Sequence, residues 1–594
     1  MNSNSDLDST VCLHRPSFRR LQVIRLCTFS QVCPLANDGL CDGSRRLGCA
    51  SGGRVFVCAA LVALPFLFPV AAGPSANVWQ QVASWICMGL LLLITPAARP
   101  SHGVLAWLAV AGSLILLRSA PNPPLAAAAA TTMVAAAAMA CAGAGGALSF
   151  GALPSVLAWG LVGAGLLSTV LAMLQYFGFA EALFPWMNAP EPGHAYGGLR
   201  QRNQLATLLS MGLVATLWLQ LGARGGLYRA AWGLVAALLI FAIAASTSRT
   251  GLLQLLLISG VSSWLAWRER LMSRAGRLPS PLVPLTWIPV YFLAAWLLPL
   301  LAGGGVETMG QRLREGAPLA HSRLILWHNV LGLIAQRPWQ GWGWGELAFA
   351  HYSTLHDGLR FAELLDNAHN LPLHLAVELG IPAALLICTG FGWLALSARP
   401  WRETDPARLM VWGLLGLIVL HSLLEYPLWY GPFQLVFGLC LGFLWPSPAF
   451  ELQHRRTALV RPLAALALMS AVGYAAWDYT RISQLYLARE DRLPAWRDDT
   501  LAKVQDSWLF ANQVKFAELA LMPVNAGNAA ETHALAQRLL HFSPEPRVIA
   551  KLIDGAQLLG LHDEALAQAA RFRVAFPREY ARWLENEPID DPAE

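Results

Sequence analysis

Apolar runs of about 20 residues recur along most of this chain, each long enough to cross the roughly 30 Å hydrocarbon core of a bilayer as a helix. Lipid offers no partner for backbone N–H and C=O groups, so a segment that crosses it must satisfy them internally; continuous rather than alternating apolar runs select helices over a barrel. Thirteen such runs are expected, near 53–72, 78–97, 103–119, 124–146, 153–178, 203–222, 229–246, 250–267, 281–302, 370–397, 408–425, 429–446 and 458–477. Only 13% of the 594 residues are charged and the mean hydropathy is +0.46, which excludes an ordinary soluble globular protein. The predicted fold class is all-α, a polytopic helical membrane protein of about 13 transmembrane helices.

Arginines set the orientation, because short cytoplasmic loops are enriched in Lys and Arg. The N-terminal tail carries Arg15, Arg19, Arg20, Arg25, Arg45, Arg46 and Arg54. Counting spans from a cytoplasmic tail puts Arg224 and Arg229, then Arg268, Arg270, Arg274 and Arg277, then Arg399, Arg402 and Arg408, and finally Arg455, Arg456 and Arg461 on the same side. The opposite, periplasmic side then receives the loop at about 179–202, the turn at 246–249, a long loop at 303–369, the turn Glu425-Tyr426-Pro427 and the C-terminal tail. Arg200, Arg202, Arg249, Arg312, Arg314 and Arg323 lie on that side, where topology does not call for them; Arg118 is a further exception with no evident role.

Three regions follow: residues 1–52, a cytoplasmic tail without helical periodicity and expected to be disordered or to reflect a start placed too far upstream; 53–477, the membrane domain with its loop 303–369; and 478–594, a periplasmic helical domain. Five of the ten cysteines fall in the first fifty residues and the rest inside apolar segments, so no disulfide framework is implied outside the membrane. After about 480 charge rises and all three lysines appear. Ala530 to Leu540, Arg547 to Leu559 and Asp563 to Phe576 read as amphipathic helices resembling a tetratricopeptide-type pair, suited to binding a partner or acceptor. The loop 303–369 is too long to lack internal structure. In it Leu324, Trp327, His328 and Leu331 share a helical face, expected to lie in the membrane interface, ahead of the glycine turn Gln340-Gly341-Trp342-Gly343-Trp344-Gly345 with its tryptophans at headgroup level.

Titratable groups at membrane depth are costly and mark cavities or pathways. Asp366-Asn367-Ala368-His369-Asn370 sits at the mouth of the run that begins at Leu371. An imidazole ordinarily titrates near pH 6.5, so His369 is the candidate proton acceptor, with Asp366 as its orienting neighbour and Asn370 in support. Six histidines crowd the region (His321, His328, His351, His356, His369 and His374), but no HExxH or paired-cysteine spacing accompanies them, and neither a metal site nor a cofactor is expected. Gln201-Arg202-Asn203-Gln204 and Ser246-Thr247-Ser248-Arg249-Thr250-Gly251 each open an apolar run, where helix N–H groups and a guanidinium together suit an anion such as a diphosphate. A snorkelling interface arginine is the alternative. Glu425 needs a partner at its interface, and an arginine of the site is the obvious one.

Gln201-Arg202-Asn203-Gln204-Leu205-Ala206-Thr207, Ser248-Arg249-Thr250, Ser322-Arg323 with Trp327, Arg337-Pro338 leading to Gly341-Trp342-Gly343, Ala368-His369-Asn370 and the stretch from His421 to Tyr430 form an ordered series. It resembles the bacterial O-antigen ligase and polymerase superfamily of membrane glycosyltransferases, and more closely its protein O-oligosaccharyltransferase branch. The resemblance implies an inner-membrane enzyme that takes a glycan from undecaprenyl diphosphate at the periplasmic face and transfers it to a hydroxyl. It implies diphosphate contacts from Arg202, Arg249 and Arg323, a base at His369 with Asp366, and support from Asn203, Asn370 and Glu425. Three readings stay open: transfer to Ser or Thr of an acceptor protein such as a pilin; ligation to lipid A-core or polymerisation of repeat units; and a transporter of lipid-linked sugars, against which the lack of internal repeats with paired broken helices speaks. Nucleic acid is not an expected partner.

Overall fold

The computed structural model describes residues 44–70, 74–75, 77–96, 98–147, 152–183, 187, 189–223, 225–272, 278–303, 305–315, 322–447 and 454–585. His321, Arg274, Arg277, the tail arginines Arg15 to Arg25 and residues 1–43 of the tail expected to be disordered lie outside the described residues, while residues 44–52 of that tail are helical. Contacts divide the chain at Gly53 and Arg54; of the first unit only the opening turns of one helix are described.

The regular elements are helices. They run α1 (Ser44–Leu67), α2 (Val78–Ile94), α3 (His102–Ser119), α4 (Pro123–Gly145), α5 (Leu153–Tyr176), α6 (Arg202–Gln220), α7 (Gly226–Ala245), α8 (Arg249–Leu271), α9 (Leu282–Leu301), α10 (Met309–Glu315), α11 (Arg323–Gln336), α12 (Leu347–Ser353), α13 (Leu371–Leu379), α14 (Ile381–Ser397), α15 (Pro406–Ser422), α16 (Gly431–Leu444) and α17 (His454–Ser483). The tail adds α18 (Thr500–Val504), α19 (Ala511–Leu521), α20 (Ala529–Leu540), α21 (Pro546–Leu558), α22 (His562–Ala575) and α23 (Pro577–Leu584). Twelve of the thirteen apolar runs each coincide with one helix, and the run at 370–397 holds two. Seven of the described helices are long and apolar enough to cross a membrane (α3, α4, α5, α7, α8, α9 and α14), and α1, α2, α15 and α16 carry shorter apolar stretches. Large apolar side chains such as Phe66, Met88, Met139, Leu157, Leu209 and Phe433 form one continuous buried core through this bundle. At one end of α2, whose last carbonyls have no partner within the helix, Arg461 Nη2 donates to Leu92 O at 2.8 Å and also to Leu93 O and Thr95 O.

The run at 370–397 corrects the expectation of one span. It is two helices, α13 and α14, broken at Gly380, whose φ is +90°. A Cβ at Gly380 would stand 2.3 Å from Trp339 O, so only glycine admits the chain that crosses here. Ile381 N–H donates to Pro338 O at 2.8 Å and Trp342 N–H to Val377 O at 2.8 Å, so the glycine turn wraps the break. Trp342 Nε1 donates to Leu333 O (3.0 Å) and Trp344 stacks on Trp429 (6.0 Å), which fastens both tryptophans to the protein rather than leaving them as free interface anchors. The signal was legible, since glycine followed by a proline at the second helical position marks one helix end and the next start.

The loop 303–369 contains α10, α11 and α12. Leu326, Val330, Leu333 and Ile334 of α11 are buried against α12 and α13, while Leu324 and Leu331 are exposed. The tail helices α19 to α22 build a second core, joined by Tyr352 of α12, whose hydroxyl donates to Gln568 Oε1 at 2.9 Å. His541 of the tail stacks on Phe349 and donates from Nδ1 to Glu346 Oε2 at 2.7 Å. α20, α21 and α22 lie within one residue of the predicted bounds at every end, while α18, α19 and α23 were not expected.

His351 is the polar centre of the loop. Its Nδ1 accepts from Arg360 Nη2 (3.1 Å) and its Nε2–H donates to Asn329 Oδ1 (3.3 Å), which fixes the neutral tautomer. Burial, reinforced by Arg360 and His356, lowers its pKa to about 2. The unfolded chain therefore takes up a proton near pH 6.5 that the folded loop refuses. Stability is fully present above that value and falls by about 1.4 kcal/mol per pH unit below it. Thermal unfolding of the wild-type chain should lose about 2 kcal/mol between pH 7 and pH 5 from this group, and His351→Gln should be less acid-sensitive by that amount. Equal acid sensitivity of the two would contradict this assignment.

Candidate active site

The N-termini of α6, α8 and α13 and the C-terminus of α15 meet at one end of the bundle, and the side chains they carry sort into two centres. The first is built on Glu425, which is buried just beyond α15. His369 Nδ1 lies 2.8 Å from Glu425 Oε2, Asn203 Nδ2 donates to Oε1 at 2.9 Å, Gln201 Nε2 donates to Oε2 at 3.3 Å, and Arg323 Nη2 forms an ion pair with Oε1. Burial raises the Glu425 carboxyl, yet His369 and Arg323 outweigh it and hold its pKa below the usual carboxylate range. A carboxylate accepts only, so Nδ1 carries the proton and Nε2, without a hydrogen bond to the described residues, is left as the basic nitrogen.

His369 adopts φ +49°, a left-handed conformation that costs a non-glycine residue on the order of 1 kcal/mol. Asn367 Oδ1 accepts its backbone N–H (2.9 Å), and Trp327 Nε1 holds the preceding carbonyl of Ala368 (3.1 Å). Asn370 caps α13, accepting from Leu373 N–H at 3.1 Å, and its Nδ2 donates to Leu423 O at 3.0 Å. The cap is thus Asn370, which releases the His369 ring from any capping duty. The carboxylate bonded to the imidazole is Glu425, while Asp366, the neighbour expected to orient the ring, makes no hydrogen bond to it among the described residues. The Asp366 N–H turns to Leu364 O (3.2 Å), and desolvation holds its carboxyl above the usual range with the nearby His369 opposing.

The second centre is cationic. Arg202 Nη1 and Arg312 Nη1 both reach Thr247 Oγ1, at 3.4 and 3.2 Å, and Arg312 also donates to Thr247 O at 3.0 Å. Arg249 Nη2 donates to Arg312 O. Three guanidinium groups thus converge beside Thr247, and the carboxylate among them is Glu307, 3.0 Å from Arg202 and 3.4 Å from Arg312. Burial and the neighbouring Arg202 and Arg249 lower the Arg312 pKa, with Glu307 opposing. Arg323 does not join this group, being engaged on Glu425; the three arginines expected at one diphosphate are divided between two centres, and Arg312 completes the cationic one. Arg312 had a sequence signal, as an arginine where topology calls for none. Thr247 lay within the Ser246 to Gly251 stretch read as suited to an anion, whereas Glu307 had no signal of its own.

One short bridge links the centres. Arg202 points to the cationic group and the adjacent Asn203 to Glu425, while Ser248 Oγ–H donates to Asn203 Oδ1 at 2.6 Å. Behind them the Thr207 hydroxyl donates to Asn203 O (2.9 Å) and accepts from Gln254 Nε2 (3.0 Å) and His421 Nδ1 (3.0 Å), which uses its one proton and both lone pairs. His374, one turn into α13, is instead buried against Glu378 (3.3 Å) and the ring of Trp429.

Comparison with known families divides along the same segments. Residues 234–388, which carry Arg249, Arg312, Arg323 and His369, match the O-antigen ligase family. Residues 195–219, with Gln201, Arg202 and Asn203, match a protein glycosylation ligase family, and residues 409–588, with Glu425 and the tail, match the C-terminal part of virulence factor membrane-bound polymerases. This chain resembles O-antigen ligases and protein glycosylation ligases. Among individual relatives, a general O-oligosaccharyltransferase of Acinetobacter baylyi is 28% identical over 363 residues, covering 59% of this chain and 57% of that protein. A ComP-specific O-oligosaccharyltransferase of the same organism is 23% identical over 299 residues, covering 48% of this chain and 50% of that protein. The chain therefore spans about half the length of these relatives. Both matches favour the protein O-oligosaccharyltransferase branch among the readings of the sequence.

Proposed function

We propose that this chain transfers a glycan from undecaprenyl diphosphate to a hydroxyl of an acceptor protein, a Ser or Thr of a pilin-like substrate, at the periplasmic face of the bacterial inner membrane. The observation that carries the reading is the pairing of a carboxylate-oriented imidazole with a separate cluster of three guanidiniums, one residue apart on α6. The acceptor hydroxyl attacks the anomeric carbon as Nε2 of His369 takes its proton. The carbon–oxygen bond to the diphosphate breaks, and its electron pair leaves on the diphosphate oxygen. Arg202, Arg249 and Arg312 neutralise that charge where it develops, a role guanidiniums fill through paired N–H donors of fixed geometry. Glu425 holds the ring and stabilises the imidazolium that forms.

Transfer to protein rather than to lipid A-core rests on the two relatives and is tested by mass spectrometry of periplasmic glycoproteins beside a lipopolysaccharide gel, with and without the gene. Loss of a glycopeptide with an unchanged gel supports the protein acceptor; the reverse outcome makes the chain an O-antigen ligase. The cationic centre is tested separately. Arg249→Lys and Arg312→Lys keep the charge but lose the fork, and each should raise KM for the lipid-linked donor by about tenfold or more, one charge-assisted contact's worth. Wild-type kinetics in both would assign these arginines to packing.

A further inference from the structure

Glu307 is an anion that the protein itself supplies to its cationic centre. Its two oxygens divide between Arg202 (3.0 Å) and Arg312 (3.4 Å), the geometry in which phosphate oxygens would bind those guanidiniums. The side chain remains 43% exposed, and it follows Gly303 and Gly305, which sit at φ +81° and +78° with open space around them. Val306 and Met309 on either side pack on the core, so the backbone is anchored while the half-exposed carboxylate, held among the described residues by its ion pairs, swings on its own side-chain torsions between the arginines and solvent.

We propose that Glu307 is the group that expels the spent diphosphate, an inference that rests on the diphosphate reading of this centre. Transfer breaks the bond between the sugar and the diphosphate, and the liberated terminal phosphate gains an ionisable oxygen that titrates near pH 6, so the product carries about one more negative charge than the donor. Three converging guanidiniums left to themselves would bind that product more tightly than the substrate, and without a competing anion product release, not chemistry, would limit turnover. A tethered carboxylate that competes for Arg202 and Arg312 weakens both complexes, and it restores the empty site's charge balance as the product leaves. It also holds the arginines together between cycles, when their mutual repulsion would otherwise spread them.

The test uses the full chain in nanodiscs with a lipid-linked glycan donor and an acceptor peptide, comparing wild type with Glu307→Gln and Glu307→Asp. The inhibition constant of undecaprenyl diphosphate should fall about tenfold in Glu307→Gln, a size set by one partly exposed ion-pair network. The same variant should show a first turnover that outpaces its steady state, and the aspartate variant should restore wild-type inhibition in part. A merely structural role would not produce a burst. If undecaprenyl diphosphate inhibits wild type and Glu307→Gln equally, or Glu307→Gln less, the release role is wrong while the diphosphate reading stands. If undecaprenyl diphosphate at no concentration inhibits the wild-type chain, the diphosphate reading of the centre is itself wrong and this inference goes with it.

Discussion

Replacing His369 by alanine is expected to lower glycan transfer by roughly 10²–10⁴-fold, the usual contribution of a positioned base, while the protein remains folded in the membrane. The ring is one-quarter exposed, and its ring hydrogen bond goes to Glu425, so the change opens no core cavity. The left-handed backbone is held by Asn367 and Trp327 independently of the imidazole. His374→Ala makes the contrast. That side chain is buried on Glu378 and against Trp344 and Trp429, so its loss should reduce thermal stability and expression with a much smaller effect on turnover per folded molecule. Glycosylated acceptor measured at matched membrane levels separates the two. A His369→Ala enzyme that glycosylates like the parent would remove His369 from the chemistry.

Glu425→Gln should cost nearly as much, about 10²–10⁴-fold in kcat, for a different reason. The amide keeps the shape but presents one acceptor oxygen and an NH₂ where the carboxylate accepted from His369, Asn203, Gln201 and Arg323 at once. The imidazole loses the group that fixes its tautomer, and the proton it receives is no longer stabilised. Because Arg202, Arg249 and Arg312 are untouched, KM for the lipid-linked donor should change little, and a fall in kcat at constant KM is the signature to look for. Glu425→Ala goes further, since it strands Arg323 without its partner, and should also destabilise the chain. Asp366→Asn is the discriminating control. It should stay within about threefold of wild type, because Asp366 is not bonded to the ring; a loss as large as that of Glu425→Gln would return the orienting role to Asp366.

The apolar runs determined most of the helices, because a continuous apolar segment in lipid satisfies its own backbone as a helix, and twelve of the thirteen runs read as one helix each without any knowledge of packing. Of the tail helices, α20, α21 and α22 were equally legible from their 3.6-residue spacing. The candidate site was legible as a parts list: His369, Glu425, Asn203 and the arginines all stand out as polar groups where apolar residues are expected. Their partners were not. Asp366 is three residues from His369 and Glu425 is fifty-six away, yet a single left-handed residue sends the ring to the distant carboxylate. Arg323 looked like a third phosphate ligand until Glu425 claimed it, and Arg312 and Glu307 acquired meaning only when α10 was laid beside Thr247. Hydrophobic periodicity is a property of local sequence, so it survives reading in one dimension. Which ion pairs with which depends on backbone turns and helix ends that lie dozens to hundreds of residues apart in the chain, and only the tertiary structure decides that.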